Sequence, residues 1–224
     1  MRAQDDDEYM MEIGAAVGPD FYLGDVNSTP FKHTSAMAGA IVRRIFNPRM
    51  VLKGDLAFGH LAGSSSGRFI PTDASQEGAE GGLPTTVSFK RNVVDFGAQF
   101  EFNFWGYSMG EAYLGNSRIT PYVLAGIGLT VALGGGGGTS CGANFPLGLG
   151  VKYKVKKRVN IGAEWTFRFT TTDKLDVNAD QTSLSEPFDI KSSGLKNKDA
   201  YSFLMLFLTY DICPKCKVCH NNKD

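Results

Sequence analysis

The sequence has no run of about 18 apolar residues, so no helix of this chain is expected to cross a membrane. Helical periodicity is weak throughout. Lysine plus arginine and aspartate plus glutamate each number 23, and a net charge of zero gives no field that would attract nucleic acid. These absences favour an all-β chain. They do not exclude a transmembrane barrel, whose strands need only about 9–11 residues each.

Groups that would mark an enzyme are also scarce. The three histidines, His33, His60 and His220, follow no zinc or catalytic-triad spacing. No general acid–base pair stands out beyond carboxylates that are more simply structural. We therefore expect no catalytic residues, no metal site, no cofactor and no small-molecule substrate.

Alternation with a period of two is the dominant pattern. It predicts eight strands, at about 8–22, 34–46, 50–62, 90–105, 118–133, 144–155, 159–171 and 200–212. The connections at 47–49 and 156–158 are tight, that at 106–117 is intermediate, and those at 23–33, 63–89, 134–143 and 172–199 are longer. Short turns on one rim and long loops on the other are typical of an up-and-down antiparallel barrel, and in outer-membrane barrels the short turns are periplasmic.

Alternation alone does not separate a soluble barrel with an apolar interior from a membrane barrel with a polar interior. The membrane barrel is favoured because one face carries large aromatic groups, such as the four phenylalanines between 96 and 104, while the other carries charges of both signs. Lone buried charges cost several kcal/mol unless they are paired. We therefore predict an interior charge network of Glu12, Arg44, Lys53, Asp55, Asp95, Glu101, Lys152, Glu164 and Arg168.

The position of Arg44 in this network depends on the turn around Pro48. A two-residue turn there places Arg44 on the same face as Lys53 and Asp55, and Arg43 on the outer wall. Eight strands leave a lumen that side chains fill. No solute channel is expected, and the function would lie at the rims or on the outer wall.

The two ends of the chain flank the predicted barrel over residues 9–212. Residues 2–4, RAQ, look like the end of a signal peptide cleaved after Ala3, which makes residues 1–8 a residual N-terminal segment. Residues 213–224 form a tail with Cys213, Cys216 and Cys219. With both termini on the short-turn side, this tail is expected in the oxidising periplasm.

The tail cysteines predict disulfide anchoring or linkage to another protein. Cys141, expected in a long loop on the opposite rim, is too far away to join them, because the hydrocarbon core alone is about 30 Å thick and a disulfide needs Cα atoms within about 7 Å. The tail therefore has an odd cysteine. Cys216, Cys219 and His220 also match the haem-attachment pattern C-x-x-C-H. Haem, zinc and an inert reduced tail stay open as interpretations of the same residues.

Residues 11–27, MEIGAAVGPDFYLGDVN, resemble the first strand and loop of PorG-like proteins, which are small outer-membrane barrels of Bacteroidota associated with the type IX secretion system. The residues that carry the likeness are Glu12, Gly14, Gly18, Tyr22, Gly24 and Asp25. Residues 121–129 and 197–210 are similar in character to later strands of that family. The resemblance spans about residues 9–212.

The resemblance implies a non-enzymatic anchor or scaffold of protein export, in contact with a periplasmic ring of PorK-like and PorN-like proteins. The chain departs from the usual end of an outer-membrane barrel, because twelve residues follow Ile212 at the end of the predicted last strand. A generic small outer-membrane protein, an adhesin or envelope stabiliser that works through its long loops, is a competing hypothesis. A soluble binding barrel and an electron-transfer protein carrying haem are two more.

Overall fold

The computed structural model describes residues 9–23, 34–68, 84–108, 116–134, 139–171 and 200–214. The strands are β1 (Tyr9–Leu23), β2 (Ser35–Asn47), β3 (Met50–Arg68), β4 (Pro84–Asn103), β5 (Gly106–Tyr107), β6 (Asn116–Ser117), β7 (Ile119–Leu133), β8 (Ser140–Lys156), β9 (Val159–Thr170) and β10 (Ala200–Pro214). The eight long strands form a closed antiparallel barrel in which β10 pairs with β1. The predicted eight-stranded up-and-down barrel is confirmed. The described ranges include no helix with the length and apolarity needed to cross a membrane.

Two segments predicted as loops are partly strand. β3 and β4 stay paired from Gly63 opposite Phe89 to Arg68 opposite Pro84, so much of the predicted loop 63–89 is a hairpin stem. Cys141 lies in β8, opposite Val131, and not in a loop. Both stretches are rich in small residues, whose similar sizes give no clear alternation in the sequence.

The position predicted for Arg44 is wrong. Arg43 is fully buried in the lumen, and Arg44 is exposed on the outer wall. The Pro48–Arg49 turn has two residues as predicted, since Asn47 pairs with Met50, but the register then shifts between positions 45 and 47. This bulge inserts one extra residue into β2. Because side chains alternate between the two faces of a strand, the extra residue moves every side chain beyond the bulge to the opposite face. Arg43 therefore lies directly opposite Lys53 in the β2–β3 ladder, and both side chains point into the lumen.

The barrel is polar inside and apolar outside. Phe96 and Phe100 of β4 face outward, 50% and 44% exposed. Between them, Gln99 is fully buried in the lumen, as are Asp95 and Glu101 on either side. A soluble barrel with an aromatic-lined pocket would need the opposite arrangement, so the structure excludes that hypothesis.

β10 is apolar on both faces, and its register could not be assigned from the sequence. Phe203, Met205 and Phe207 point into the lumen, whereas Leu206 and Leu208 lie on the outer wall. The interior thus has an apolar side, formed by β10, against which the charged side chains of the other strands pack.

Candidate functional site

The half of the lumen near the short turns holds a charge network of three carboxylates and three cations. Its members are Glu12, Glu101, Glu164, Arg43, Lys53 and Lys152, each at most 1% exposed. Arg43 donates from Nε to Glu101 Oε1 at 2.8 Å, and Lys152 Nζ donates to Glu101 Oε2 at 3.1 Å. Lys53 pairs with Glu164. Equal numbers of opposite charges offset the desolvation cost that would otherwise expel these groups from the interior.

Aromatic rings enclose this charge network. The Arg43 guanidinium lies 4.4 Å from the ring centre of Phe207, and the ammonium of Lys152 lies 5.0 Å from that of Tyr122. Tyr122 also donates its hydroxyl to Glu164 Oε2 at 2.6 Å. The ring of Tyr122 fits because Gly150 has no side chain: a Cβ there would lie 2.5 Å from Tyr122 Cζ. The interior glycine thus makes room for a ring.

A second polar cluster fills the other half of the lumen. Arg168 lies between two carboxylates, with Nη2 2.5 Å from Asp55 Oδ2 and Nη1 in contact with Asp95. Asp95 also accepts from Asn144 Nδ2 at 2.8 Å and from the hydroxyl of Tyr201. These contacts join β3, β4, β8, β9 and β10 across the lumen, so the cluster fixes the relative positions of strands that are not neighbours in the sheet.

The segment after β4 closes the short-turn end of the lumen. Gly106–Tyr107 pairs in parallel with Asn116–Ser117, and Tyr107 N donates to Pro48 O at 3.1 Å. The hydroxyl of Tyr107 donates to Asn160 Oδ1 at 2.9 Å. Burial raises the pKa of Tyr107 well above its usual range, and the nearby charges of Glu12 and Asp211 raise it further. This phenol is therefore a neutral cap on the end of the barrel.

Eight of the nine residues predicted for the lumen lie in its interior: Glu12, Lys53, Asp55, Asp95, Glu101, Lys152, Glu164 and Arg168. Arg43 takes the place predicted for Arg44. The prediction missed the ion pair of Lys154 with Asp211, 2.6 Å apart, although Lys154 continues the alternation of Lys152. It also missed Tyr107, for which the sequence carries no periodic signal, because the turn that inserts this ring is irregular.

The geometry gives these side chains a structural role. Each carboxylate of the charge network contacts a cation. Among the described residues, no group of three histidine, cysteine, aspartate or glutamate side chains could hold a metal ion. The arrangement fills the lumen and fixes strand positions, so a partner would have to meet the rims or the outer wall.

The cysteines with described positions lie at opposite ends of the barrel. Cys141 is the second residue of β8, at the long-loop end, and Cys213 lies near the end of β10, at the short-turn end. Both are exposed free thiols. Three tail residues lie outside the described residues: Cys216 and Cys219, predicted to form disulfides, and His220, the third residue of the haem-attachment pattern.

Exposed aromatic side chains of the outer wall include one at the short-turn level and one at the long-loop level. Tyr210 is 46% exposed and pairs with Val159 at the short-turn level, while Phe169 is 43% exposed near the other end of β9. Ten residues of strand separate these levels, or about 33 Å along a strand and about 25 Å vertically at the usual tilt. Outer-membrane barrels carry an apolar band of about this height between two aromatic girdles.

Comparison with solved structures finds the same fold. The crystal structure of Neisserial surface protein A (NspA) superposes with a TM-score of 0.50 and 13% identity, over 90% of this chain and 97% of that one. The N-terminal barrel of Pseudomonas aeruginosa OprF gives a TM-score of 0.45 at 13% identity, over 92% and 99% of the two chains. The outer membrane enzyme PagL gives 0.41 at 15% identity, over 90% and 99%.

A search of curated protein sequences finds no match. A family model described as a domain of unknown function (DUF6089) matches residues 2–221, nearly the whole chain. The chain therefore belongs to this family. Its fold is that of an eight-stranded outer-membrane-type barrel.

Proposed function

We propose that this member of the DUF6089 family spans the outer membrane and acts as a non-enzymatic anchor or scaffold of the type IX protein secretion system. On this proposal its short-turn rim faces the periplasm and contacts a ring complex of PorK-like and PorN-like proteins. The observation that carries the proposal is the filled lumen: the charge network and the second polar cluster occupy its two halves, and Tyr107 caps its short-turn end. A barrel of this kind offers partners its surface and not a channel.

Two further observations support the membrane part of the proposal. The outer wall presents large apolar side chains to the surroundings, such as Ile127 at 65% and Leu149 at 59% exposure. A wall of this composition would aggregate in water but suits hydrocarbon. The two aromatic levels fit the interfaces of one bilayer. The secretion part rests on the resemblance of residues 11–27 to PorG-like barrels.

The tail gives the proposal its point of contact with a partner. Cys213 is exposed at the short-turn rim, three residues before Cys216 and six before Cys219, the other two cysteines predicted to form disulfides. In an oxidising compartment, an odd number of neighbouring cysteines leaves one thiol for another protein. We propose that the tail is tethered to a periplasmic partner through such a bond.

The test is deletion of the gene followed by complementation, with secreted type IX cargo measured in the medium. Deletion should abolish secretion, and the full chain should restore it. A chain with C213S, C216S and C219S should retain a heat-dependent mobility shift on SDS gels but lose a reducible adduct. Secretion that persists after deletion would overturn the scaffold role.

A matched pair of variants separates the scaffold from an adhesin or envelope stabiliser. Residues 69–83 and 172–199 are replaced by short turns in one variant, and residues 213–224 are removed in the other. The scaffold proposal expects the first variant to secrete normally and the second to fail. The opposite result would assign the function to the long loops.

A further inference from the structure

The outer wall carries an apolar groove across five strands. Its volume is about 580 Å³, and its wall-facing residues include Ala15, Val151, Tyr153, Ile161, Leu206 and Leu208. These residues come from β1, β8, β9 and β10, with Ile119 of β7 at the far side. Ala15, a small side chain of the lining, pairs with Leu208 on the neighbouring strand. We call this feature the outer-wall groove.

Basic side chains lie at the short-turn end of the same strands. They are Arg118, Lys156, Lys157 and Arg158, all exposed, and we call them the basic rim. Arg118 directly precedes Ile119 of the outer-wall groove. Arg158 is three residues from Ile161, or about 10 Å along a strand. A molecule in the groove would therefore meet the basic rim at its polar end.

On the described parts of these strands near the short turns, no exposed acidic side chain accompanies the basic rim. The acidic residues there are Glu12 and Asp211, each 1% exposed and each engaged with a lumenal cation. Arg158 is held in place, since its Nε donates to Tyr9 OH at 2.7 Å and its Nη1 to Tyr210 OH at 3.4 Å. The rim thus presents positive charge, supported by aromatic rings, at the level of a membrane interface.

We propose that this surface binds one anionic glycerophospholipid, with an acyl chain in the outer-wall groove and the phosphate on the basic rim. The groove is apolar and crosses five strands, which suits an acyl chain, and the rim has the opposite charge to the phosphate. The proposal goes beyond the secretion role and is independent of the tail. It requires only that the barrel lies in a bilayer.

The charge test uses two matched double variants of the full chain. K156Q/R158Q removes two charges at the groove, and R44Q/R49Q removes two exposed charges from β2 and the turn after it, across the barrel. Each protein is equilibrated with mixed micelles of phosphatidylglycerol or phosphatidylcholine, and bound lipid is counted by native mass spectrometry. We expect K156Q/R158Q to lower phosphatidylglycerol binding about tenfold and R44Q/R49Q to leave it within about twofold.

The shape test uses Ala15→Phe, which fills the groove, and Ala98→Phe, which adds the same ring at an exposed position of β4 outside it. Only Ala15→Phe should reduce binding, and both should keep the heat-dependent mobility shift of a folded barrel. Equal binding of both lipids by the unaltered chain, or equal effects of the two phenylalanines, would overturn the proposal. A third variant, D5N/D6N/D7N/E8Q, neutralises the acidic residues 5–8. If this variant binds phosphatidylglycerol and the unaltered chain does not, these acidic residues occupy the basic rim, and the proposal is overturned.

Discussion

Arg43 and Glu101 are 58 residues apart in sequence, and β3 separates their strands, yet Arg43 Nε lies 2.8 Å from Glu101 Oε1 inside the barrel. The same guanidinium approaches Glu12 at 3.4 Å and Glu164 at 3.8 Å. Arg43 is therefore the cation shared by all three carboxylates of the charge network.

Arg43→Gln should destabilise the barrel by about 3 kcal/mol, because it leaves three buried carboxylates with two cations. Arg44→Gln, one residue along on the outer wall, is the matched control and should change the free energy of unfolding by less than about 0.5 kcal/mol. Urea unfolding in detergent micelles, followed by tryptophan fluorescence, measures both. A larger loss of stability in Arg44→Gln than in Arg43→Gln would support the register without the bulge, in which Arg44 lies in the lumen.

The contact of Gly150 with Tyr122 predicts a cost for adding a single methyl group. In Gly150→Ala the new Cβ would lie 2.5 Å from Tyr122 Cζ, which pushes the ring away from Glu164. Overpacking of this kind costs about 1–3 kcal/mol. The control is Gly54→Ala on the outer wall, where the nearest atoms to a Cβ are 3.9 Å away. Equal unfolding midpoints for the two variants would contradict the close approach.

Tyr107 should make stability depend on pH in the alkaline range. Because its pKa is raised in the folded barrel, the phenol is protonated in both states below about pH 10, the ordinary tyrosine value. Above that pH the unfolded chain loses the proton first, so the contribution of Tyr107 to stability falls as pH rises.

Tyr107→Phe removes both the hydrogen bond to Asn160 and this titration. At pH 8 the variant should be less stable by about 1 kcal/mol. At pH 11 the unfolding midpoints of the two proteins should converge, because the unaltered chain has lost about as much. A difference that stays constant from pH 8 to pH 11 would show that Tyr107 is not a buried cap.

The sequence predicts much of the fold because a barrel strand repeats a two-residue pattern. Asp95, Glu101 and Glu164 alternate with large apolar residues, and such a pattern identifies both the strand and the face. Where the interior of a strand is apolar, as at Phe203 and Phe207, the two faces look alike and the register cannot be assigned.

The parts that the sequence did not predict depend on events of a single residue. The bulge beside the Pro48 turn moves Arg43 into the lumen and Arg44 out of it, and no residue type marks such an insertion. Tyr107 enters the barrel from an irregular turn, so alternation gives no information about it. A residue pattern indicates which charges lie inside, whereas their partners follow from three-dimensional register.

The positions of Cys141 and Cys213 allow a test of which rim of the barrel faces the cell exterior and which faces the periplasm. Both thiols are exposed at opposite ends of the barrel. Single-cysteine chains are prepared by changing the other three cysteines to serine, and intact cells are treated with a membrane-impermeant maleimide. If the short turns face the periplasm, the Cys141 chain should be labelled in intact cells and the Cys213 chain only after the outer membrane is permeabilised.

Labelling of Cys213 in intact cells, with Cys141 protected, would reverse the orientation and remove the periplasmic contact from the proposed function. Labelling of both would place the barrel outside a sealed membrane, and the lipid site on its outer wall would lose its basis as well.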